Sequence, residues 1–105
     1  MPVHAITSPE QLKDLITSGK PALIDFWATW CGACAVMSPI FEYLSTKTNK
    51  IGFYSVDIDA QKHIAEAVGI RSTPTFIFFS GGDKREEIVG ADPAALERII
   101  KTFKS

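Results

Sequence analysis

Residues Pro21 to Ala28 read Pro-Ala-Leu-Ile-Asp-Phe-Trp-Ala, nearly all apolar and without alternation. A strand that alternates apolar and polar residues needs cover on one face, whereas an unbroken apolar run needs it on both. This segment is therefore expected as a central strand between two helical layers, and the rest of the chain must supply that cover. Its one charged residue, Asp25, is then a carboxyl in apolar surroundings, where desolvation of the charged form makes it hard to ionise. A structural Asp bonded to water or backbone is the other reading of that position.

The flanking sequence supplies helices. Ser8-Pro9-Glu10-Gln11 opens one, with Ser8 as the cap, Pro9 in the first turn and Gln11 completing a capping box. Leu12, Leu15 and Ile16 form its apolar stripe and Gly19 ends it. After Cys31 a second helix places Met37, Ile40, Phe41 and Leu44 on one face, with a kink expected at Pro39, whose ring removes a backbone hydrogen bond. Ile51 to Ile58 reads as a strand and Ala60 to Val68 as a short helix closed by Gly69. Thr75 to Phe79 and Lys84 to Val89 form a hairpin across Gly81-Gly82. Asp92 and Pro93 start a last helix with the stripe Leu96, Ile99, Ile100 and Phe103. Val3 to Ile6 is the least defined segment, at the sheet edge. The sum is a three-layer α/β sandwich around a mixed sheet. With 105 residues, 46% of them hydrophobic, and no composition shift, the chain fits one domain spanning 1–105.

The central run leads straight into Trp30-Cys31-Gly32-Ala33-Cys34, which holds both cysteines. At this spacing two sulfurs can close a small disulfide ring, and a thiolate at a helix N-terminus is stabilised by free N–H groups and the helix dipole. A reversible dithiol is the leading reading, with Cys31 the exposed nucleophile and Cys34, one turn in, the resolving thiol. An inert buried pair or half of a zinc site are the alternatives. Against zinc, the only histidines are His4 and His63 and there is no second C-x-x-C, so no metal ligands are assigned. Eleven basic residues against twelve acidic ones leave no charge footprint for nucleic acid or an anionic membrane. No run approaches a membrane span, and the first residues lack the features of a secretory signal, so a cytoplasmic location is expected.

Asp25-Phe26-Trp27-Ala28-Thr29-Trp30-Cys31-Gly32-Ala33-Cys34, then Pro39, Thr73-Pro74-Thr75 and Val89-Gly90, resemble the thioredoxin family in order and spacing over essentially the whole chain. Val89-Gly90-Ala91-Asp92, with Val56-Asp57-Ile58-Asp59, looks most like eukaryotic, fungal members. The resemblance implies the thioredoxin fold and a protein-disulfide reductase with no bound cofactor. Its redox group is the Cys31–Cys34 disulfide, re-reduced by an NADPH-dependent flavoprotein, thioredoxin reductase. It further implies that Asp25 assists proton transfer at Cys34. Pro74 is expected as a cis-proline that presents the Thr73 backbone to an extended substrate segment. By the same resemblance Trp30 is expected to lie against the dithiol, and Gly90 with Ala91 to complete a small apolar rim. Trp27 is assigned to the core; Arg71 and His63 are read as surface residues. The expected partners are disulfide-containing proteins and the reductase, and the expected state is a monomer with weak dimerisation through the active-site face.

The chain departs from the family pattern between its cysteines. Gly32 is followed by Ala33 where most thioredoxins carry proline. Proline lacks a donor, so alanine leaves an additional N–H at the helix start to stabilise the Cys31 thiolate. Gly32-Ala33 is therefore expected to make the pair more oxidising than an ordinary thioredoxin, which brings disulfide oxidase or isomerase activity into view. Ala35 and Ser55 stand where many members have lysine, so Asp25 lacks a cation that would favour its charged form. A non-catalytic binding module on the same fold is the rival from another class.

Overall fold

The computed structural model describes residues 3–104. In chain order the elements are β1 (Val3–Ala5), α1 (Pro9–Thr17), β2 (Ala22–Trp27), α2 (Gly32–Ser45), β3 (Gly52–Asp57), α3 (Lys62–Val68), β4 (Thr75–Ser80), β5 (Asp83–Val89) and α4 (Pro93–Lys104). They build one five-stranded sheet in the order β1-β3-β2-β4-β5. β1 and β2 run parallel to β3, while β4 is antiparallel to both β2 and β5. The apolar run thus occupies the middle position, and Ala22, Leu23, Ile24 and Phe26 have no exposed surface.

Alternate residues of β2 feed two separate cores. Leu23 packs with Met37, Phe41 and Leu44 of α2 and with Leu96, Ile99 and Ile100 of α4. Ile24 and Phe26 pack on the opposite face with Leu12 of α1 and Ile64 of α3. This is the double cover that an apolar, non-alternating strand demands, and hydrophobic burial on both faces holds the sheet between its helices.

Local signals act largely as read. Ser8 caps α1 by accepting from the Gln11 N–H at 3.2 Å. Gln11 reaches back one residue further than a capping box requires, accepting from the Thr7 N–H at 2.7 Å. α2 is one helix with Pro39 inside it. The hairpin turn is the pair Gly81 and Gly82, with φ of 65° and 89°, the double positive φ of a two-residue turn matched to strand twist. Asp92 starts α4 by accepting from the Ala95 N–H at 3.1 Å. The boundaries of β3 and α3 are shorter than their apolar runs, because Ile51 and Ile58 flank the strand and Ala60 and Gln61 belong to the turn before the helix.

Candidate active site

The carboxyl end of β2 runs into Ala28, Thr29 and Trp30 and then into α2, so the dithiol sits where a strand ends and a helix begins. Cys31 is the N-cap of α2, in extended conformation (φ −98°, ψ 109°), and its Sγ accepts from the Cys34 N–H at 3.1 Å. Cys31 and Cys34 are joined as a disulfide with their Cα atoms 5.3 Å apart. The N–H groups of the first helical turn have no carbonyl behind them, and Gly32 and Ala33 lie in that turn, both exposed. These groups and the helix dipole stabilise negative charge on the sulfur at the cap.

Cys31 was expected to be exposed. In the disulfide form it is 9% exposed, against 5% for Cys34. The order is as expected, but the contrast is small. Cys31 Sγ faces the loop before β4, with the Thr73 carbonyl oxygen 3.4 Å away.

That loop carries the cis Thr73–Pro74 peptide. Two hydrogen bonds anchor it: Thr75 Oγ1 donates to the Ser72 carbonyl at 2.7 Å, and the Gly90 N–H donates to the Pro74 carbonyl at 2.8 Å. The second bond ties the end of β5 to the dithiol loop and brings Gly90 to it. A Cβ built on Gly90 would meet nothing within 4 Å, so the space there is open, and Ala91 beside it is exposed. The Thr73 hydroxyl is buried without a hydrogen-bond partner.

Trp30 is 68% exposed, yet it is not loose. Its indole Nε1–H donates to Asp59 Oδ2 at 2.8 Å. Asp57 shapes the turn that carries Asp59, its Oδ1 accepting from the Asp59 and Ala60 N–H groups at 2.9 and 3.2 Å. Asp59 holds the indole in place, a role the sequence reading did not give it. Its signal was present in Asp57-Ile58-Asp59, a turn-forming run directly after a strand. Trp27, read as core, is only half-buried; it packs on Ala28, Cys31 and Cys34 as part of the apolar collar of the dithiol. His63 and Arg71 are exposed surface residues.

Beneath the dithiol lies Asp25, 6% exposed, its Oδ1 buried with no hydrogen-bond partner. Burial pushes its carboxyl up from 3.8 to about 7. In the sheet Asp25 is in register with Ser55 of β3, and Ser55 with Ala5 of β1. This row of small residues stops short of α2 and leaves a cavity of about 390 Å³. Asp25, Cys31, Cys34, Ser38, Glu42 and Ser55 all line it. One cavity therefore brings the two sulfurs and the buried acid together, a placement in which Asp25 can exchange a proton with a thiol. Among the described residues no group of three or more His, Cys, Asp or Glu side chains is arranged to hold a metal ion.

A family model described as Thioredoxin matches residues 3–102. The chain is 48% identical over 100 residues to a thioredoxin of Malassezia sympodialis, covering 93% of this chain and 95% of that one. It is 46% identical over 101 residues to a thioredoxin of Coprinus comatus, covering 94% and 95%. The solved structure of the Malassezia sympodialis thioredoxin superposes with a TM-score of 0.91 at 46% identity, over 98% of this chain and 91% of the other.

Proposed function

This chain belongs to the thioredoxin family, and on that premise we propose how its residues divide the work of a dithiol–disulfide oxidoreductase that reduces protein disulfides. In the reduced protein the Cys31 thiolate attacks one sulfur of a substrate disulfide. The substrate S–S bond breaks, one substrate sulfur leaves as a thiolate, and a mixed disulfide forms on Cys31. Asp25 takes the proton of the Cys34 thiol; the Cys34 thiolate then attacks Cys31 Sγ and releases the second substrate sulfur. Two electrons have passed to the substrate, and the chain is left with its Cys31–Cys34 disulfide. Thioredoxins in general are re-reduced by thioredoxin reductase, and we assign an NADPH-dependent flavoprotein of that kind as the electron source here. The substrate chain lies along Thr73 and Pro74, with Trp30, Gly90 and Ala91 as the rim.

The observation that carries this reading is the disulfide at the N-cap of α2 above a buried carboxyl with an unsatisfied oxygen. Trapping tests the division of roles. Cys34→Ser should accumulate substrate as a mixed disulfide that dithiothreitol releases, and Cys31→Ser should trap none. Covalent trapping by Cys31→Ser instead would reverse the assignment, and non-covalent retention by both would favour a binding module.

Gly32-Ala33 sets the finer property. With an alanine N–H in place of proline at the helix start, the Cys31 thiolate is stabilised and the disulfide becomes easier to reduce. The potential should lie above the about −270 mV general to thioredoxins, taken as the reference value, and below about −120 mV. Equilibration in glutathione buffers with tryptophan fluorescence as reporter measures it. A value at or below the reference would remove the argument from Ala33, and one tens of millivolts higher would turn attention to oxidase or isomerase activity. We further read residues 1–105 as one domain of fungal type acting as a cytoplasmic monomer. Its relatives in Malassezia sympodialis and Coprinus comatus support the lineage, and cysteines used for chemistry rather than as staples suit a reducing compartment.

A further inference from the structure

The outer face of α2 carries less polarity than a surface helix ordinarily shows. Such a helix turns an apolar stripe inward and polar residues to solvent, and α2 does send Met37, Phe41 and Leu44 into the core. At about 100° per residue, Gly32, Val36, Pro39 and Tyr43 fall within about 60° of one another on the side away from that core, flanked by Ala35 and Ile40. Ile40 is half-buried and the others are exposed, Val36 at 62% and Tyr43 at 59%. Glu42, the only charged residue from Gly32 to Ser45, falls to one side of this strip.

The strip starts at the residue after Cys31 and runs about 17 Å along the helix at 1.5 Å per residue. It ends where Lys47 sets its ammonium over the Tyr43 ring, 4.6 Å from the centroid. A continuous exposed apolar surface with a polar rim marks a site of association. Its occupant follows from where it starts. A partner sulfur joined to Cys31 lies at the N-cap of α2, so the strip is continuous with the place where a substrate is held. A helix face offers no free backbone groups, so a segment lying on it must satisfy its own N–H and C=O groups, as a helix does. Small residues at Gly32 and Ala35 beside larger ones at Val36 and Tyr43 give the ridges and grooves that a second helix fills.

We propose that the outer face of α2 is a docking surface for the disulfide-bearing substrate protein itself, taking the apolar side of an amphipathic helix that follows the substrate cysteine, with Val36 and Tyr43 as its main contacts. The proposal rests on Cys31 as the attacking sulfur and adds the substrate chemistry, uncharged and apolar beyond the disulfide.

The test uses three oxidants: hydroxyethyl disulfide and two peptides, each joined to glutathione through a single cysteine. The peptides share the residues around that cysteine and continue through a glycine link into a helix of about four turns, one face of which is leucine in the first peptide and glutamine in the second. Stopped-flow tryptophan fluorescence gives the second-order rate constant with which each oxidises the pre-reduced protein. The leucine peptide should react about fivefold or more faster than the glutamine peptide, because its apolar face leaves water on α2. Tyr43→Lys, Tyr43→Glu and Val36→Asn should each bring the leucine peptide down to the rate of the glutamine peptide and leave the other two oxidants unchanged. Val36 lies one turn from Cys31, and its neutral replacement keeps charge away from the thiolate.

Equal rates for the two peptides with the native protein would overturn the docking surface, and so would a loss caused by only one sign of charge at Tyr43, which means charge steering. Self-association abolished by Tyr43→Glu with peptide rates unchanged would give the face to a second copy of the chain and overturn it equally. Failure of all three oxidants, hydroxyethyl disulfide included, would remove the redox reading and this proposal with it, whereas native rates with all three in every variant would remove the proposal alone.

Discussion

Below about pH 4 the Asp25 carboxyl is protonated whether the chain is folded or not. Between about 4 and 7 the unfolded chain has released that proton while the folded chain still holds it, because burial raises the folded value to about 7. The folded state binds more protons over this window, so the contribution of Asp25 to stability is greatest at the acid end and falls as pH rises, the loss being complete above about pH 7. At about 1.4 kcal/mol per pH unit the full difference is on the order of 4 kcal/mol. Asp25→Asn should therefore be more stable than the native protein at pH 8 by several kcal/mol, with little gain at pH 4. Urea unfolding of the oxidised proteins at both pH values checks this, and equal stability at pH 8 would mean that the carboxyl is not desolvated. A second prediction concerns Ala33. Ala33→Pro removes one N–H from the first turn of α2 and should lower the reduction potential by about 30 mV or more, a tenfold change in the exchange equilibrium; glutathione equilibration reads it directly. A potential that stays put or rises would mean that this N–H contributes nothing to the thiolate.

Among the elements, helix ends offer the cleanest tests because each rests on one group. Ser8 supplies the side-chain oxygen that caps α1, so Ser8→Ala should cost about 1 kcal/mol in urea unfolding. Gly69 ends α3 with φ of 83°, and a Cβ there would meet nothing within 4 Å. The cost of Gly69→Ala, about 1 kcal/mol, is then a backbone cost alone, and a neutral result would show that the end of α3 relaxes. These signals were legible because cap, turn and stripe lie within a few residues of one another. Gln11 was legible as a capping residue but not in its partner: Thr7, not Ser8, donates to it. A side chain of that length reaches more than one backbone N–H, and the entry path of the chain from β1 selects between them.

On the scale of the whole molecule, the sheet register distributes large and small side chains across the face beneath α2. The row Val3, Phe53, Leu23 and Phe78 is bulky throughout, whereas the adjacent row is small at Ala5, Ser55 and Asp25 and turns bulky only at Phe76 of β4. Phe41 packs against Phe53 of the first row and Phe76 of the second, with ring centroids 5.3 and 5.5 Å away, and also lines the cavity. Phe41→Ala should cost about 3–5 kcal/mol, seen as a lower denaturation midpoint. A loss below 1 kcal/mol would mean that the core collapses into the vacated space. The Cα radius of gyration, 12.5 Å, is close to the about 13 Å of a compact chain of this length. If the chain acts as a monomer, as proposed, sedimentation equilibrium should give a monomer at micromolar concentration, with any weak association removed by Trp30→Ala, since Trp30 is the most exposed large apolar side chain of the described residues.

The sequence alone determined the element types, the central place of β2, the dithiol at a strand-to-helix junction and the desolvated character of Asp25. Each is written in residues that are neighbours along the chain, where periodicity, caps and turn chemistry act. Tertiary structure alone decided the bond from Trp30 to Asp59, the place of Trp27 in the collar of the dithiol, the near-equal burial of the two cysteines and the cavity they share with Asp25 and Glu42. These depend on register between strands distant in the chain: Ala5, Ser55 and Asp25 form a short row only because β3 inserts between β1 and β2. No local pattern encodes the space left where three small side chains meet the underside of a helix.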